Sequence, residues 1–250
     1  MKRITLKRGA IVFAMSLLLA WSASGADLPA PQIAPDPPPP PSGGAWSGIV
    51  LRITFIFPER GFGRAGTGFV VQDRSGQWYL LTCTHLINDK DWETRHCVKM
   101  RTMDGHLAIE SYGSSLYHGP AVNPKATRHG RLDTTTDLVI RSVAGQSMRP
   151  LPMAAQDPRV GDWVWAVGRE SASPLGNEKL FPCQIREVAE GGYVMKKQRE
   201  FDPRGFSGGP IVNASGKVVG NLVAGGGEFI QGATVTTLRQ RLKHVGVEVD

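Results

Sequence analysis

Short apolar stretches separated by turn residues fill most of the sequence from Trp46 onward. They recur about every 8–12 residues, without the long 3.6-residue periodicity of helical proteins. The candidate strands are residues 47–55, 67–71, 77–82, 98–101, 107–109, 138–141, 163–168, 182–188, 193–195, 210–212, 217–223 and 233–235. Residues 111–131 are rich in Gly, Ser, Pro and His and are interpreted as a long loop. This pattern predicts an all-β fold, a sandwich or a barrel.

A single helix is predicted near the C-terminus, over about residues 236–246. Leu238, Leu242 and Val245 follow one another at i, i+4 and i+7 and therefore share one face. Thr236 or Thr237 can cap its first turn. The basic residues of the remaining surface are interpreted as a solvated face.

The first 26 residues have the three parts of a secretory signal peptide. Four basic residues precede an apolar run over 10–21, and small residues at 22–26 supply a cleavage site after Ala26. The run is too short to span a bilayer, although an uncleaved anchor is the alternative. The sequence therefore predicts an exported protein, periplasmic or secreted.

Residues 27–45 form a proline-rich linker, which favours extended polyproline structure and serves as a spacer. About 205 residues remain, enough for one compact unit with a substantial core. Removing the four basic residues of the leader leaves 25 Lys and Arg against 22 Asp and Glu, a net charge of +3. This charge is too small and too dispersed to predict a nucleic-acid partner.

Three cysteines, Cys83, Cys97 and Cys183, give an odd count, so at least one thiol stays free. An exported protein permits disulfides, and a Cys83–Cys97 bridge would close a loop of about 15 residues, stabilising by about 3 kcal/mol. The alternative is that all three are small buried apolar residues.

A serine in a glycine-rich turn, Gly205-Phe206-Ser207-Gly208-Gly209-Pro210, precedes an apolar strand. A serine hydroxyl becomes a nucleophile only when a base takes its proton, and it needs donors for the negative oxygen formed on the attacked carbonyl. Glycines let backbone N–H groups converge on one point, and Gly205 and Ser207 are the candidate donors. The alternative is a turn in which Ser207 only caps a loop.

His85 is the best base among the six histidines because it follows an apolar strand at a strand-to-loop junction. A histidine base also needs a carboxylate that fixes its tautomer, and Asp137 directly precedes the apolar 138–140 stretch. Separately, His85 can be an edge histidine and Asp137 a turn residue. Together with Ser207, they are the residue types that nucleophilic catalysis requires.

The segments 82–85, 137–140 and 205–210, in this order, resemble the trypsin/chymotrypsin-like serine peptidases. Residues 66–71 and 160–168 resemble the bacterial Deg (HtrA-like) branch, although no C-terminal PDZ domain is expected here. The resemblance covers about residues 46–245. It implies two six-stranded antiparallel barrels, about 46–145 and 150–235, with the catalytic His85, Asp137 and Ser207 in the cleft between them.

Three positions depart from the pattern of this family. Phe206 stands where trypsin-type zymogens have an acid that pairs with a newly cut N-terminus, which argues against that activation. Leu86 replaces a cysteine expected after the histidine. Val223 replaces a hydroxyl residue that supports the catalytic aspartate in many relatives.

The resemblance also implies which residues bind substrate. Phe201 falls at the base of the primary pocket and disfavours a trypsin-like preference for Lys or Arg, although Asp202 is adjacent. Val223, Ala224 and Gly225 line one wall and can pair with an extended peptide. A small-to-medium apolar residue is expected at the cleaved position.

The hypothesis is an exported serine endopeptidase acting on peptides or proteins, with no cofactor. One alternative is a catalytically silent relative that binds peptides or a protein partner in the same cleft. A metal site of Cys83, His85, His96 and Cys97 is a weaker alternative because the ligand spacing is poor, so no metal is predicted. The oligomeric state is left open.

Overall fold

The computed structural model describes residues 36–41, 50–56, 63–86, 98–102, 107–111, 115–121, 127–128, 131–143, 149–170 and 179–250. The chain divides into two units, Met1–Asp36 and Pro37–Asp250, and the fold described is that of the second. The predicted signal peptide, most of the proline-rich linker, and both His96 and Cys97 lie outside the described residues. Residues 36–41 of the linker have no helix or strand.

The N-terminal half contains nine described strands. They are β1 Val50–Ile56, β2 Gly63–Gln72, β3 Trp78–Thr82, β4 Val98–Thr102, β5 Leu107–Ser111, β6 Tyr117–His118, β7 Thr127–Arg128, β8 Arg131–Leu132 and β9 Val139–Val143. Seven of them form one antiparallel sheet in the order β5-β4-β1-β2-β3-β9-β6, while β7 and β8 pair separately.

This N-terminal sheet differs from the predicted six-stranded barrel. Over the residues that the structure describes it has seven strands, and its edges β5 and β6 do not meet. The additional edge strand β6 pairs with β9 through only two residues, inside the segment interpreted as a loop. A two-residue strand has no alternation of apolar and polar side chains, so the sequence pattern could not reveal it.

The C-terminal half is a closed six-stranded barrel, as predicted. Its strands are β10 Trp163–Gly168, β11 Lys179–Ala189, β12 Gly192–Lys197, β13 Pro210–Val212, β14 Val218–Gly226 and β15 Phe229–Thr234, in the order β10-β11-β12-β15-β14-β13. Alternate residues of β12 are buried, which is the period-two pattern of a strand with one face on a core. One hydrophobic core joins this barrel to the N-terminal sheet, since Phe69, Leu81 and Ile140 belong to the same cluster as the barrel residues.

Helix α1, Val235–His244, follows β15 directly. Leu238 and Leu242 are fully buried, as the periodicity predicts. The predicted caps were wrong, because the Thr234 hydroxyl accepts the Thr237 N–H and no loop separates strand from helix. The basic face is not simply solvated, since Arg239 donates to the carbonyls of Ala154 and Val249 and so fixes the last residues of the chain. Among the described residues, no helix is long and apolar enough to cross a membrane.

Candidate active site

His85 and Asp137 lie at the same end of two paired strands. β3 ends at Thr82, which pairs with Val139 at the start of β9, and a short 3-10 turn over Thr84–Leu86 carries the histidine. The Nδ1 atom of His85 is 2.7 Å from Oδ2 of Asp137, and the His85 backbone N–H donates to Oδ1 at 3.0 Å. Asp137 is fully buried, whereas the His85 side chain is 27% exposed. The carboxylate thus holds the ring with a proton on Nδ1 and leaves Nε2 as a base.

Ser207 lies in a tight loop that leads directly into β13. The Phe206 N–H donates to the Pro203 carbonyl, and the Gly209 N–H donates to the Phe206 carbonyl at 2.8 Å. Gly205 and Gly208 have φ values of +96° and +82°, in the left-handed region that favours glycine. This backbone conformation explains why the turn around the serine has glycine at positions 205 and 208.

The serine loop contacts the strand that leads to His85. The Thr67 N–H of β2 donates to the Ser207 carbonyl at 2.9 Å. A Cβ atom added to Gly208 would lie 2.8 Å from the Cys83 backbone N and would also contact the Thr67 carbonyl and the Thr82 hydroxyl. Gly208 therefore lets Ser207 approach the turn that carries the histidine.

Two backbone donors of the loop have no acceptor among the described residues. The Phe206 and Gly208 N–H groups donate to the carbonyls of Pro203 and Leu222, respectively. Within the described parts of the chain, the N–H groups of Gly205 and Ser207 donate to no protein acceptor. These are the two donors that the sequence assigns to an oxyanion, and such groups are available to a developing negative charge.

Cys83 is a fully buried free thiol, so the Cys83–Cys97 bridge considered from the sequence is not formed. Burial, together with the charge of Asp137, raises the pKa of this thiol well above its ordinary value. It therefore stays protonated and donates to the Leu222 carbonyl at 3.4 Å. Atoms of Cys83, His85 and Asp137 lie within 4.8 Å of one another, but His85 Nδ1 is bonded to Asp137 Oδ2, and Oδ1 accepts the His85 backbone N–H.

Phe201 and Phe206 belong to a buried aromatic cluster under the serine loop. The Phe201 ring stacks on the Phe181 ring with their centroids 4.3 Å apart, and the centroids of the Phe206 and Phe201 rings are 5.1 Å apart. A Cβ atom on Gly168 would lie 2.5 Å from the Phe206 ring, so β10 needs a glycine there. Phe206 was noted in the sequence only as a departure, and its packing gives it a structural reason.

One edge of β14 is open beside the serine loop. β13 pairs with β14 only as far as Asn221, while β15 covers its other side. The pairing with β15 shifts between Leu222 and Ala224, which leaves Val223 as a buried bulge residue. Over the described residues, the segment 223–226 therefore presents one backbone edge that can accept an added strand.

An ion pair at this loop was missed in the sequence analysis. The Arg204 Nη2 atom lies 2.6 Å from Oδ2 of Asp202, and Glu170 accepts the Asp202 backbone N–H. Hydrogen bonds from Arg204 lower the pKa of the Asp202 carboxyl below its usual range. The i, i+2 spacing of acid and base was the available signal, but such spacing is common on exposed loops.

Comparison with known proteins agrees with these features. A family model described as "Trypsin-like peptidase domain" matches residues 66–220. The "Probable periplasmic serine endoprotease DegP-like" of Chlamydia pneumoniae is 24% identical over 177 residues, covering 66% of this chain and 30% of that protein. The "Putative protease Do-like 14" of Arabidopsis thaliana is 29% identical over 170 residues, covering 62% and 34%. The chain thus spans about a third of the length of these curated relatives.

Solved structures show the same fold at lower identity. The active form of the Rv3671c protease from M. tuberculosis superposes with a TM-score of 0.54 at 20% identity, covering 86% of this chain and 93% of that one. The serine endoprotease from Yersinia pestis gives a TM-score of 0.57 at 16% identity, covering 80% and 64%. The family match spans more than half of the 250 residues and includes all three predicted catalytic residues. The chain therefore belongs to the family of trypsin-like peptidase domains.

Proposed function

We propose that this chain is an exported serine endopeptidase that cleaves peptide bonds through an acyl-enzyme on Ser207. The observation that carries the proposal is the His85–Asp137 pair, joined at 2.7 Å beside a serine loop in which two N–H groups have no acceptor within the described part of the chain. Family membership and the DegP-like relative support it.

In this mechanism His85 Nε2 takes the Ser207 hydroxyl proton as the serine oxygen attacks the substrate carbonyl. The buried Asp137 stabilises the charged imidazolium and keeps it oriented, without itself becoming protonated. The N–H groups of Gly205 and Ser207 hold the oxyanion. His85 then gives its proton to the leaving amine, which departs and leaves the acyl group on Ser207. A water molecule next attacks the acyl group while His85 takes its proton, and His85 returns that proton to Ser207 as the acid product leaves.

The substrate is an extended peptide or protein segment that pairs with the open edge of β14 at Val223, Ala224 and Gly225. Backbone pairing of this kind holds a peptide without reading its side chains. The aromatic cluster around Phe201 favours a small-to-medium apolar residue at the cleaved position. Within this proposal the N-terminal sheet is the counterpart of the first barrel of the family.

Export is proposed from the leader over residues 1–26 and from the DegP-like relative, which is named periplasmic. The linker over 27–45 then separates the cleavage site from a peptidase domain over about 46–250.

The test is labelling of the purified protein with a fluorophosphonate probe, read by intact mass. Wild type should take one adduct, whereas Ser207→Ala and His85→Ala should take none. The exposed Ser215 in the β13–β14 turn offers a matched control, and Ser215→Ala should label like wild type. Peptide hydrolysis should fall about 10⁶-fold in kcat for Ser207→Ala.

An unlabelled wild type that still binds extended peptides with unchanged affinity in Ser207→Ala would overturn the proposal. That result would assign the cleft to binding instead.

A further inference from the structure

Thr67 on β2 has three polar atoms, and two of them, the hydroxyl oxygen and the backbone nitrogen, bond to the serine loop. Its hydroxyl donates to the Gly205 carbonyl at 2.5 Å, and its N–H donates to the Ser207 carbonyl at 2.9 Å. Its own carbonyl accepts the Thr82 hydroxyl at 2.8 Å and is therefore fixed by the strand that leads to His85. Thr67 is 1% exposed, so these bonds are shielded from water.

The two carbonyls that Thr67 holds belong to the same residues whose N–H groups are the proposed oxyanion donors. Gly205, at φ +96°, has no side chain that restricts its backbone, so the direction of its carbonyl depends on the hydrogen bonds of the peptide group that follows it. A bond to the Gly205 carbonyl fixes the peptide group that follows this residue. The bond to the Ser207 carbonyl fixes the group that follows the serine. The group between these two joins Phe206 to Ser207 and carries the Ser207 N–H, so the two bonds constrain the direction of that donor from both sides.

We propose that the Thr67 hydroxyl is a positioning group that keeps the Ser207 N–H directed at the oxyanion, because it fixes the peptide group between Gly205 and Phe206. The inference rests on the proposed peptidase function and adds a residue that the catalytic triad does not contain. The hydroxyl is the part that distinguishes Thr67, because any residue there could supply the backbone bond to Ser207.

The Thr67 methyl group also has a defined place. A Cβ atom on Gly209 would lie 3.0 Å from Thr67 Cγ2, so the side chain packs against the serine loop on its apolar side as well. Valine has nearly the same shape as threonine and preserves this packing while it removes the hydroxyl. Serine keeps the hydroxyl and loses only the methyl group.

The experiment compares Thr67→Val, Thr67→Ser and wild type by kcat and KM on one peptide substrate. Loss of an oxyanion donor should lower kcat by about 10²–10³-fold with little change in KM, because the donors act on the transition state. Thr67→Ser should retain most of kcat. The matched control is Thr237→Val, which removes a buried hydroxyl that also donates to a glycine carbonyl, that of Gly191, away from this loop.

The inference is overturned if Thr67→Val keeps wild-type kcat, if it raises KM as much as it lowers kcat, or if Thr67→Ser loses as much kcat as Thr67→Val. A crystal structure of Thr67→Val tests it without any activity, since an unchanged Gly205 peptide would also refute it. Failure of the proposed function gives a different result: no fluorophosphonate adduct on wild type, with the Gly205 peptide still turned in Thr67→Val.

Discussion

Gly208→Ala should destabilise the protein and impair catalysis more than Gly161→Ala, a substitution at a glycine of the same backbone class. Gly208 has φ +82°, and its missing Cβ position lies 2.8 Å from the Cys83 backbone N. The Thr67 carbonyl and the Thr82 hydroxyl are also in contact with that position. Two of these three atoms belong to the backbone, the Thr67 carbonyl in β2 and the Cys83 N directly after β3, so they cannot rotate away.

The magnitude follows from two terms. A left-handed conformation costs an alanine about 1–2 kcal/mol. Forcing a methyl group into a packed contact costs about 1–3 kcal/mol more, which gives a loss of about 2–5 kcal/mol. Gly161 isolates the first term, because it has φ +93° with no atom within 4 Å of its Cβ position. Gly161→Ala should therefore lose only about 1–2 kcal/mol.

Urea unfolding of both variants measures the change in the free energy of unfolding. Alanine also stabilises each variant by lowering the conformational entropy of the unfolded chain, and this contribution cancels when the two variants are compared. In Gly208→Ala the serine must also move relative to His85, so kcat should fall by about 10²-fold for a shift near 1 Å. Gly161→Ala should keep kcat. Equal stability losses in the two variants would refute the contact argument, and unchanged kcat in Gly208→Ala would refute the placement of the loop.

Three further outcomes are expected. Asp137→Asn should lower kcat by about 10⁴-fold with little change in KM, because an amide stabilises the wrong His85 tautomer; a loss below tenfold would argue against this role. Burial raises the pKa of the Cys183 thiol from 9.0 to about 12. Its stabilising effect is complete below pH 9 and falls by about 1.4 kcal/mol per pH unit above it. Between about pH 8 and pH 10, urea unfolding should show a loss of stability that is larger in wild type than in Cys183→Ala by about 1.4 kcal/mol, because the buried Cys83 thiol contributes to the slope in both proteins. Acetylation of the α-amino group should leave the fluorophosphonate labelling rate unchanged, since Phe206 is buried in an aromatic cluster; a strong decrease would indicate a trypsin-like N-terminal contact.

The strand pattern of the barrel could be predicted from the sequence because its strands contain short apolar stretches bounded by turn residues. The predicted strands 163–168 and 210–212 coincide with β10 and β13. The predicted strand 217–223 overlaps the first part of β14, Val218–Gly226. The end of this strand is glycine-rich and gives no apolar signal. Periodicity thus locates the strands well where side chains are buried, and less well at their ends.

Neither the closure of the N-terminal sheet nor the contacts between distant segments could be predicted from local periodicity. Whether β5 and β6 meet is a property of pairing between distant segments, which local alternation does not encode. The hydroxyl bond from Thr67 to Gly205 joins residues 138 positions apart. Helix capping failed for a local reason, because Thr234 ends a strand and caps a helix at once, and three threonines in four positions made the choice ambiguous.

Phe206 and Thr67 together explain how the serine loop keeps its shape without the acid found in trypsin-type zymogens. In the described residues the Phe206 ring is fully buried against Phe181 and Phe201, so the space beneath the loop is filled by apolar packing. That packing holds the side chain of the central residue, while the Phe206 and Gly208 N–H groups hold the peptide groups around it from the barrel side. Thr67 supplies a further constraint from the N-terminal sheet, through the carbonyls of the two donor residues. The competence of the loop should therefore depend on the contact between sheet and barrel, and not on a newly formed chain end.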